Sequence, residues 1–231
     1  MLGFRPALIA LLAGALALPA CGTAADSLAD GGEQTRSVTH VLGTTEVPAE
    51  PERVATLSEG VAGHLASTGL LVIAAPDDVP EWLTPYQQTF APDLDLDSIT
   101  LIGTSEEPNL EALAQARPDM IIIEDFSEEF YPELSRIAPT VVVERPSNAA
   151  WQEAFAQTVE FAGREQEAEP LLAGYAEALA AVPATAAGVE VACVRANDDG
   201  SFRLDGQGAV CGSVAAEAGY AVPAAPAQIA P

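Results

Sequence analysis

Residues 103–125, with the sequence GTSEEPNLEALAQARPDMIIIED, constrain the fold more strongly than any other part of the chain. Asn109 is a helix-capping residue type, and apolar residues follow it at helical spacing until Pro118 ends the pattern. Residues 120–123 are an uninterrupted apolar run of strand length, which is typical of a parallel strand covered on both faces. The segment therefore predicts a loop, a short helix and a buried strand of an α/β sheet.

The same alternation extends through residues 38–147, which we interpret as one N-terminal α/β lobe. Its β-α-β order predicts a mostly parallel sheet with helices on both faces, because parallel neighbours need crossover connections. We also expect an edge strand at 38–42, a turn-rich connection at 44–52 and an irregular segment at 76–97. The predicted parallel strands span residues 53–57, 71–75, 99–102, 120–123 and 140–144, with helices at 58–70, 109–117 and 127–137.

Two helical patterns follow in residues 148–184, which we interpret as connecting helices with Asn148 as the first cap. Pro170 would bend the second helix or mark its start. Residues 185–231 hold too few elements for a complete second α/β lobe, so we expect a truncated version of a longer protein; a small second subdomain is the alternative. Its predicted elements are strands at 188–195 and 201–204, a hairpin turn at 197–200, a Gly-rich loop at 206–213 and a helix at 214–218.

Residues 1–21 are predicted to be a targeting segment rather than part of the fold. Arg5 provides a positive charge, and residues 7–18 are an apolar run too short to span a bilayer. The tetrapeptide Leu-Pro-Ala-Cys that ends at Cys21 is similar to a bacterial lipobox, which predicts lipidation of Cys21 and anchoring to a membrane. Residues 22–37 would then be a flexible tether. An ordinary secretory signal that contains a cysteine is the alternative.

The charge balance excludes several classes of partner. The chain has a net charge of -25, with nine arginines and no lysine, so it lacks the cations that would neutralise nucleic acid or dock on anionic lipid. The 49% hydrophobic content excludes wholesale disorder. A composition bias toward arginine and a salt-adapted host both remain open as reasons for the acidity.

Catalytic patterns are weak in this chain. His40 and His64 have no nucleophile and acid at triad spacing, and Ser58 lacks the glycines of a nucleophile elbow. The alternating aspartates of residues 93–97 lack the glycine that a calcium loop needs at its sixth position. We therefore predict no catalytic residue, no resident cofactor and no directly bound metal.

Two stretches of the chain resemble the substrate-binding proteins of ATP-driven iron–siderophore importers: residues 103–122 and residues 42–57, LGTTEVPAEPERVATL. The resemblance implies two Rossmann-like lobes, with mostly parallel sheets, joined by a long spine helix. It implies a monomeric receptor on the outer face of the bacterial cytoplasmic membrane that delivers a ferric siderophore to an ABC permease and its ATPase, with no chemical step. A corrinoid- or haem-binding protein of the same fold and an exported α/β enzyme are the alternatives.

The candidate ligand contacts come from predicted strand ends and from the resemblance, because open α/β sheets bind ligands beyond the carboxyl ends of their strands. Some family members carry an arginine at about the position of Ser105. This chain has a serine there, which argues against a hydroxamate ligand held by such an arginine. The resemblance assigns Glu111 to permease docking, while its plain use is as a first-turn helix carboxylate. The ligand-binding candidates are Ser58, Glu59, Thr104, Ser105 and Phe126 in the N-terminal lobe, and Arg195, Arg203 and Ser213 after the connecting helices.

Two cysteines remain once Cys21 is assigned to lipidation. Export permits a disulfide between Cys193 and Cys211, and the strand-hairpin-loop arrangement could bring them together. Cys193 could equally be a small buried hydrophobe inside its strand. For Arg195 and Arg203, the alternative to ligand binding is a surface ion pair with an acidic neighbour.

Overall fold

Five parallel strands form the central sheet, in the order β5-β4-β3-β6-β7. The computed structural model describes residues 34–183, 187–196 and 201–223, so Cys21, the signal segment and the turn at 197–200 lie outside the described residues. The parallel sheet predicted from the alternating pattern is confirmed. Its strands are β3 (Val54–Thr56), β4 (Ala74–Ala75), β5 (Thr100–Leu101), β6 (Met120–Glu124) and β7 (Thr140–Val143).

A β-hairpin precedes this sheet where the sequence predicted only a short edge strand and a turn-rich connection. Strand β1 (Thr35–His40) pairs antiparallel with β2 (Gly43–Pro48). The hairpin is anchored to the sheet by Thr45, whose hydroxyl donates to the backbone carbonyl of Thr140 at 3.1 Å. Strand β1 therefore begins inside the range predicted as tether, and the prediction of a turn-rich segment at 44–52 was wrong for most of its length.

The helices of the N-terminal lobe differ from the prediction most clearly at residues 76–97. That segment contains α2 (Val79–Phe90), although it holds several prolines and was predicted to be irregular. Pro80 occupies the first turn, where no intrahelical amide bond is lost, and buried Val79 and Leu83 attach the helix to the core. Pro85 is accommodated inside the helix, because this tertiary burial outweighs its local cost.

The remaining helices of this lobe lie close to their predicted positions. They are α1 (Glu59–Ser67), α3 (Leu110–Ala116) and the single turn α4 (Tyr131–Leu134). The helix predicted at 127–137 is shorter than expected, because a 3₁₀ segment (Asp125–Phe130) takes up its first half. The cap predicted at Asn109 is present, since its side chain accepts a hydrogen bond from the Ala112 amide at 3.0 Å.

Helices α5 (Trp151–Ala162) and α6 (Glu165–Ala180) follow the sheet. Gly163 separates them with a φ of 65°, a left-handed conformation that glycine adopts without strain. The predicted cap at Asn148 was wrong, because a 3₁₀ turn (Asn148–Ala150) begins there and no side chain caps α5. Pro170 lies inside α6, which begins five residues before it.

The last described elements form a small unit after the connecting helices. Strands β8 (Cys193–Ala196) and β9 (Phe202–Asp205) pair antiparallel, and α7 (Val210–Glu217) follows them. A disulfide joins Cys193 to Cys211 and so ties the first strand to this helix. Helix α7 starts inside the predicted Gly-rich loop, earlier than the sequence indicated. It contacts the connecting helices through Glu217, which accepts from the Tyr175 hydroxyl at 2.7 Å.

The core lies on both faces of the central sheet, because alternate residues of each strand point to opposite sides. In β6, Ile122 packs with the side chains of α1, α2 and α5, while Ile121 and Ile123 pack with those of α3 and α4. All three isoleucines are fully buried. Burying one such side chain stabilises the fold by about 1.5–3 kcal/mol, so this strand anchors both helical layers.

Candidate functional site

The strand order creates a switch point between β3 and β6. From β3 the chain moves outward to β4 and β5, and it then returns to place β6 on the other side of β3. Loops that leave two such strands diverge and open a crevice beyond their carboxyl ends, where open α/β sheets bind ligands. We call the residues at and just beyond the carboxyl ends of β3 to β7 the carboxyl edge; they are residues 57–60, 76–78, 103–109, 124–130 and 144–148.

Ser58 and Glu124 join the two strands at this switch point. The Ser58 hydroxyl donates to Glu124 Oε2 at 2.6 Å and accepts from the Val61 amide at 3.2 Å, so it also caps α1. Ser58 is 1% exposed, and both bonding directions of its hydroxyl are occupied by protein groups. It therefore lies beneath the surface of the carboxyl edge, and its predicted ligand contact stays a prediction.

Glu124 also contacts Arg145, which follows β7. Its Oε1 atom lies 2.9 Å from Arg145 Nε, and the Glu124 side chain is 0% exposed against 25% for Arg145. The ion pair is short but poorly aligned, since Oε1 has no partner with hydrogen-bond geometry. Burial raises the pKa of Glu124, although the Ser58 hydrogen bond and the Arg145 charge oppose that rise. A carboxylate in this position needs both partners, because burying an unpaired charge is costly.

The sequence analysis missed Glu124 and Arg145. Both directly follow buried β-runs, IIIE and VVVER, and this is the same signal that selected Ser58 and Phe126. What the sequence could not show is that β6 and β7 lie side by side, so that a carboxylate and a guanidinium from different loops meet.

The other half of the carboxyl edge continues this chain of contacts. Glu59, the first residue of α1, has a raised pKa, mainly from burial and then from its side-chain hydrogen bond with Asp78 after β4. The neighbouring Asp77 accepts from the Gly103 amide after β5 at 2.8 Å, and the Asp77 amide donates to the Gly103 carbonyl at 2.8 Å. Contacts therefore run across all five strand ends.

The loop after β5 holds two predicted ligand contacts in a tight turn. Thr104 is exposed, and its hydroxyl accepts from the Glu107 amide at 3.0 Å, while Ser105 is half-buried. Gly103 has a φ of 86°, and a Cβ there would lie 2.8 Å from the Glu107 carbonyl oxygen. The loop thus depends on glycine at 103, and it presents Thr104 two strands away from Ser58 along the same edge.

Phe126 completes the N-terminal candidates. It lies in the 3₁₀ segment after β6 and is 54% exposed, so its ring is open to contact from solvent. The structure therefore places all five predicted N-terminal contacts on the carboxyl edge, four of them with surface accessible to solvent, namely Glu59, Thr104, Ser105 and Phe126.

The three remaining candidates lie in the small unit after the connecting helices. Arg195 and Arg203 are opposite one another on β8 and β9, and both pair with Asp205, at 3.4 Å and 2.7 Å. The hydrogen bond from Arg203 holds the pKa of Asp205 below its ordinary value. Ser213 is half-buried in α7, and its hydroxyl donates to the Val210 carbonyl at 2.9 Å. The arginines thus form the surface ion pairs that were the alternative to ligand binding, while their exposed guanidinium faces remain accessible.

An open depression of about 600 Å³ lies beside this ion-pair cluster. Arg203, Asp205 and the glycines at 206 and 208 line it, together with Asn148 from the start of the connecting helices. Backbone amides and an arginine are suitable donors for an oxygen-rich ligand. Arg203 is the predicted ligand contact that borders this depression.

Glu111 lies in the first turn of α3, just after the loop that holds Thr104 and Ser105. Its side chain is exposed and accepts from Gln115 Nε2 at 3.2 Å, one helical turn later. The position is open to a partner protein, and it equally suits a carboxylate at a helix N-terminus.

Within the described ranges 34–183, 187–196 and 201–223, no three or more His, Cys, Asp or Glu side chains come together as a metal site. None of the helices in those ranges combines the length and apolarity needed to cross a membrane.

A parallel sheet with polar loops at its switch point, followed by helices that lead to a second small sheet, defines an α/β binding protein. The chain belongs to the periplasmic binding protein family, whose model matches residues 54–227. The resemblance seen in residues 42–57 and 103–122 is thereby confirmed at the level of the family.

Several relatives match over much of this chain. The petrobactin-binding protein YclQ of Bacillus subtilis is 29% identical over 183 residues, which are 74% of this chain and 55% of that protein. The ferric enterobactin-binding periplasmic protein FepB of Escherichia coli is 30% identical over 157 residues, 63% of this chain and 48% of that protein. The chain spans about half the length of these curated relatives.

The fold is also similar to solved structures. The crystal structure of Staphylococcus aureus SirA complexed with staphyloferrin B superposes with a TM-score of 0.66 at 27% identity, covering 81% of this chain and 64% of that one. The YclQ structure superposes with a TM-score of 0.63 at 28% identity, covering 81% and 66%. These similarities extend the family assignment to the three-dimensional arrangement of the described elements.

Proposed function

We propose that this protein is the extracytoplasmic substrate-binding component of an ABC importer, which captures a ferric siderophore and delivers it to the permease. The observation that carries the proposal is the row of polar loops at the switch point of the parallel sheet, in a chain of the periplasmic binding protein family. Relatives named for binding petrobactin and ferric enterobactin, and SirA solved with staphyloferrin B, support this class of ligand.

The ligand in this proposal is a small chelate that already encloses its iron. It would contact the accessible groups of the carboxyl edge, namely Glu59, Thr104, Ser105 and Phe126, above buried Ser58. From the small unit after the connecting helices, Arg195, Arg203 and Ser213 would supply further donors. Capture and release are binding steps, so the proposal includes no reaction and no resident cofactor.

The proposed location is the outer face of the bacterial cytoplasmic membrane, with a monomer anchored through lipid on Cys21. The support is the apolar run of residues 7–18 followed by Leu-Pro-Ala-Cys, with the polar residues after Cys21 as tether. Metabolic labelling with a palmitate analogue tests the anchor. We expect label in the wild-type protein and none after Cys21→Ser. Equal labelling of both proteins would show that the lipid is not attached to Cys21.

Delivery requires contact with the permease and its associated ATPase. Glu111 is the proposed contact in the described residues, because it is exposed in the first turn of α3, two residues beyond the carboxyl edge. A single exposed carboxylate of this kind steers docking more than it tightens the complex.

Ligand titration tests the main proposal. The purified protein would be titrated with ferric petrobactin, ferric staphyloferrin B, ferric enterobactin and ferric citrate while tryptophan fluorescence is recorded. Trp82 is 61% exposed, and Trp151 packs edge-on against Tyr175 with centroids 5.1 Å apart, so the two report on different parts of the molecule. We expect saturable quenching by at least one chelate at micromolar concentration or below.

The same titration separates the alternatives. Haem and cobalamin would be included as ligands of the second class, and the iron-free siderophores would be the matched controls. Saturation by haem or cobalamin alone would replace the siderophore with that ligand. Failure of every chelate to bind at micromolar levels would contradict the proposed function.

A further inference from the structure

We infer that Arg145 is the ligand-contacting cation of the carboxyl edge, and that Glu124 positions its guanidinium to receive a negatively charged oxygen of the iron chelate. This inference rests on the proposed function and assigns a contact within that site. Neither residue was among the candidates selected from the sequence.

The charges along the carboxyl edge are mostly negative. Its loops carry ten carboxylate residues and one arginine, Arg145, and all of these loops lie within the described range 34–183. The carboxylates are Glu59, Asp77, Asp78, Glu106, Glu107, Glu124, Asp125, Glu128, Glu129 and Glu144. An iron-chelating oxygen carries negative charge, so ionised carboxylates repel it and the Arg145 guanidinium is the cation of this edge that attracts it.

The arginines at the opposite end of the sheet lie too far along the strands to contact a ligand at the carboxyl edge. Arg53, Arg117 and Arg136 all precede the strands β3, β6 and β7, so they lie at the amino ends. Arg53 already donates to the backbone carbonyls of residues 116 and 117. Within the N-terminal lobe, Arg145 is therefore the arginine that follows a strand and reaches the switch point.

The Arg145 guanidinium is held in place by contacts with the protein. Its Nε atom faces the fully buried Glu124 carboxylate at 2.9 Å, and Glu124 is in turn fixed by the Ser58 hydroxyl at 2.6 Å. The Arg145 backbone amide also donates to Asp125 Oδ2 at 3.3 Å. The short ion pair and the backbone hydrogen bond thus hold the Nε side of the guanidinium next to Glu124 and restrict its movement before a ligand arrives, although the pair lacks hydrogen-bond alignment.

The terminal N–H donors of Arg145 have open space beside them at Gly60. A guanidinium has five N–H groups, and the terminal pair can bind two oxygens at once. Gly60 has no side chain, and a Cβ at that position would lie 3.5 Å from Arg145 Nη1 and 3.3 Å from Glu124 Oε1. With 25% of the Arg145 side chain exposed, the absence of a side chain at 60 leaves the guanidinium reachable from the crevice.

Removing Arg145 alone would strand the buried Glu124 charge and could unfold the protein, so the test uses a double-mutant cycle. The variants are Arg145→Gln, Glu124→Gln, the two combined, and Arg145→Lys, with Arg136→Gln as the control for loss of one positive charge. Arg136 is an exposed arginine, 74% accessible at its side chain, that pairs only with neighbouring Glu133 in the contacts described. The dissociation constant of whichever ferric chelate binds the wild type best is measured for each, and thermal unfolding verifies folding.

The expected pattern is specific to a positioned ligand contact. The double variant folds and binds about 10- to 100-fold more weakly, as expected for a lost hydrogen bond to a charged group. Arg145→Lys keeps the charge but does not restore affinity, because an ammonium lacks the planar fork. Glu124→Gln weakens binding in the presence of Arg145 and has no further effect in its absence, whereas Arg136→Gln binds as the wild type does.

Two results would overturn the inference while leaving the proposed function standing. Wild-type affinity in the folded double variant would remove Arg145 from the site. Equal effects of Glu124→Gln with and without Arg145 would remove the positioning part. If the wild type binds none of the chelates, the proposed function fails and this inference fails with it.

Discussion

We predict that the ring of His64 makes the stability of the fold sensitive to acid. It lies on α1 and faces α5, where its Nδ1 atom is 3.1 Å from the Thr158 hydroxyl oxygen and its ring packs edge-on against Phe155 at 5.4 Å. The Thr158 hydroxyl donates to the Ala154 carbonyl at 2.7 Å, so its oxygen accepts from His64 and assigns the neutral Nδ1–H tautomer. Protonating the ring would place a charge between two packed helices.

The magnitude follows from proton linkage. Burial lowers the pKa of His64 from 6.5 to about 4, and the positive charge of Arg145 acts in the same direction. Below pH 6.5 the unfolded chain takes up a proton that the folded protein does not, so stability falls between that pH and a pH of about 4. Between pH ~7 and ~4.5 the loss amounts to about 2 kcal/mol of unfolding free energy from this residue.

The assay is urea unfolding followed by circular dichroism at both pH values, for the wild type and His64→Gln. The many carboxylates titrate in both proteins, so their shared contribution cancels in the difference. We expect the wild type to lose about 2 kcal/mol more than the variant on acidification. Thr158→Val is the matched control, because it removes the hydrogen bond but keeps the titrating ring. Equal acid sensitivity of wild type and His64→Gln would show that the ring titrates normally, and the reasoning from burial would be refuted.

Three further predictions concern other parts of the molecule. Gly103→Ala should lower the unfolding free energy by about 2 kcal/mol, because an L-residue is strained there and its Cβ meets the Glu107 carbonyl; an unchanged melting temperature would contradict this. Reducing the Cys193–Cys211 bond should destabilise the last strand pair and helix by about 3 kcal/mol, measured as faster hydrogen exchange of their backbone amides. Equal exchange rates of these amides in the oxidised and reduced protein would contradict this. Glu111→Ala should leave the chelate dissociation constant unchanged but slow uptake in cells, and unchanged uptake would remove its docking part.

The central sheet could be predicted because its longer strands are recognisable from the sequence as uninterrupted apolar runs. The runs at residues 120–123 and 141–143 are apolar on every residue, and only a strand covered on both faces places such residues in the core. The strand-helix alternation then leaves parallel pairing as the consistent topology. The helix cap at Asn109 and the loop before it could also be predicted, because capping depends only on neighbouring residues.

Helix α2 and the hairpin β1–β2 were not predictable by the same reasoning. Pro85 lowers the local helix preference because it lies inside α2, and the burial of Val79 and Leu83 in the core compensates for it. The hairpin contains few apolar residues, and it is held by contacts such as Thr45 to Thr140, which are 95 residues apart. Interactions at such separation leave no local trace in a sequence.

The candidate site shows the same division. Residues directly after buried strands were correctly placed on one edge, and Ser58, Thr104 and Phe126 all lie there. The pairing of Glu124 with Arg145 was missed, because each alone looks like an ordinary charged residue at a strand end. Arg195 and Arg203 were selected for their positive charge, and the structure adds that both face Asp205.

By itself, the sequence determined the class of fold, the order of its central elements and the edge of the sheet to which the N-terminal candidate residues belong. These follow from periodicity and from the chemistry of single residues, which act over a few neighbouring positions. The tertiary structure alone decided which polar groups share a hydrogen bond, which are buried and which remain open to solvent. Those properties depend on distances between chain segments that are far apart in sequence, such as Ser58 and Glu124, and only the folded chain brings them together.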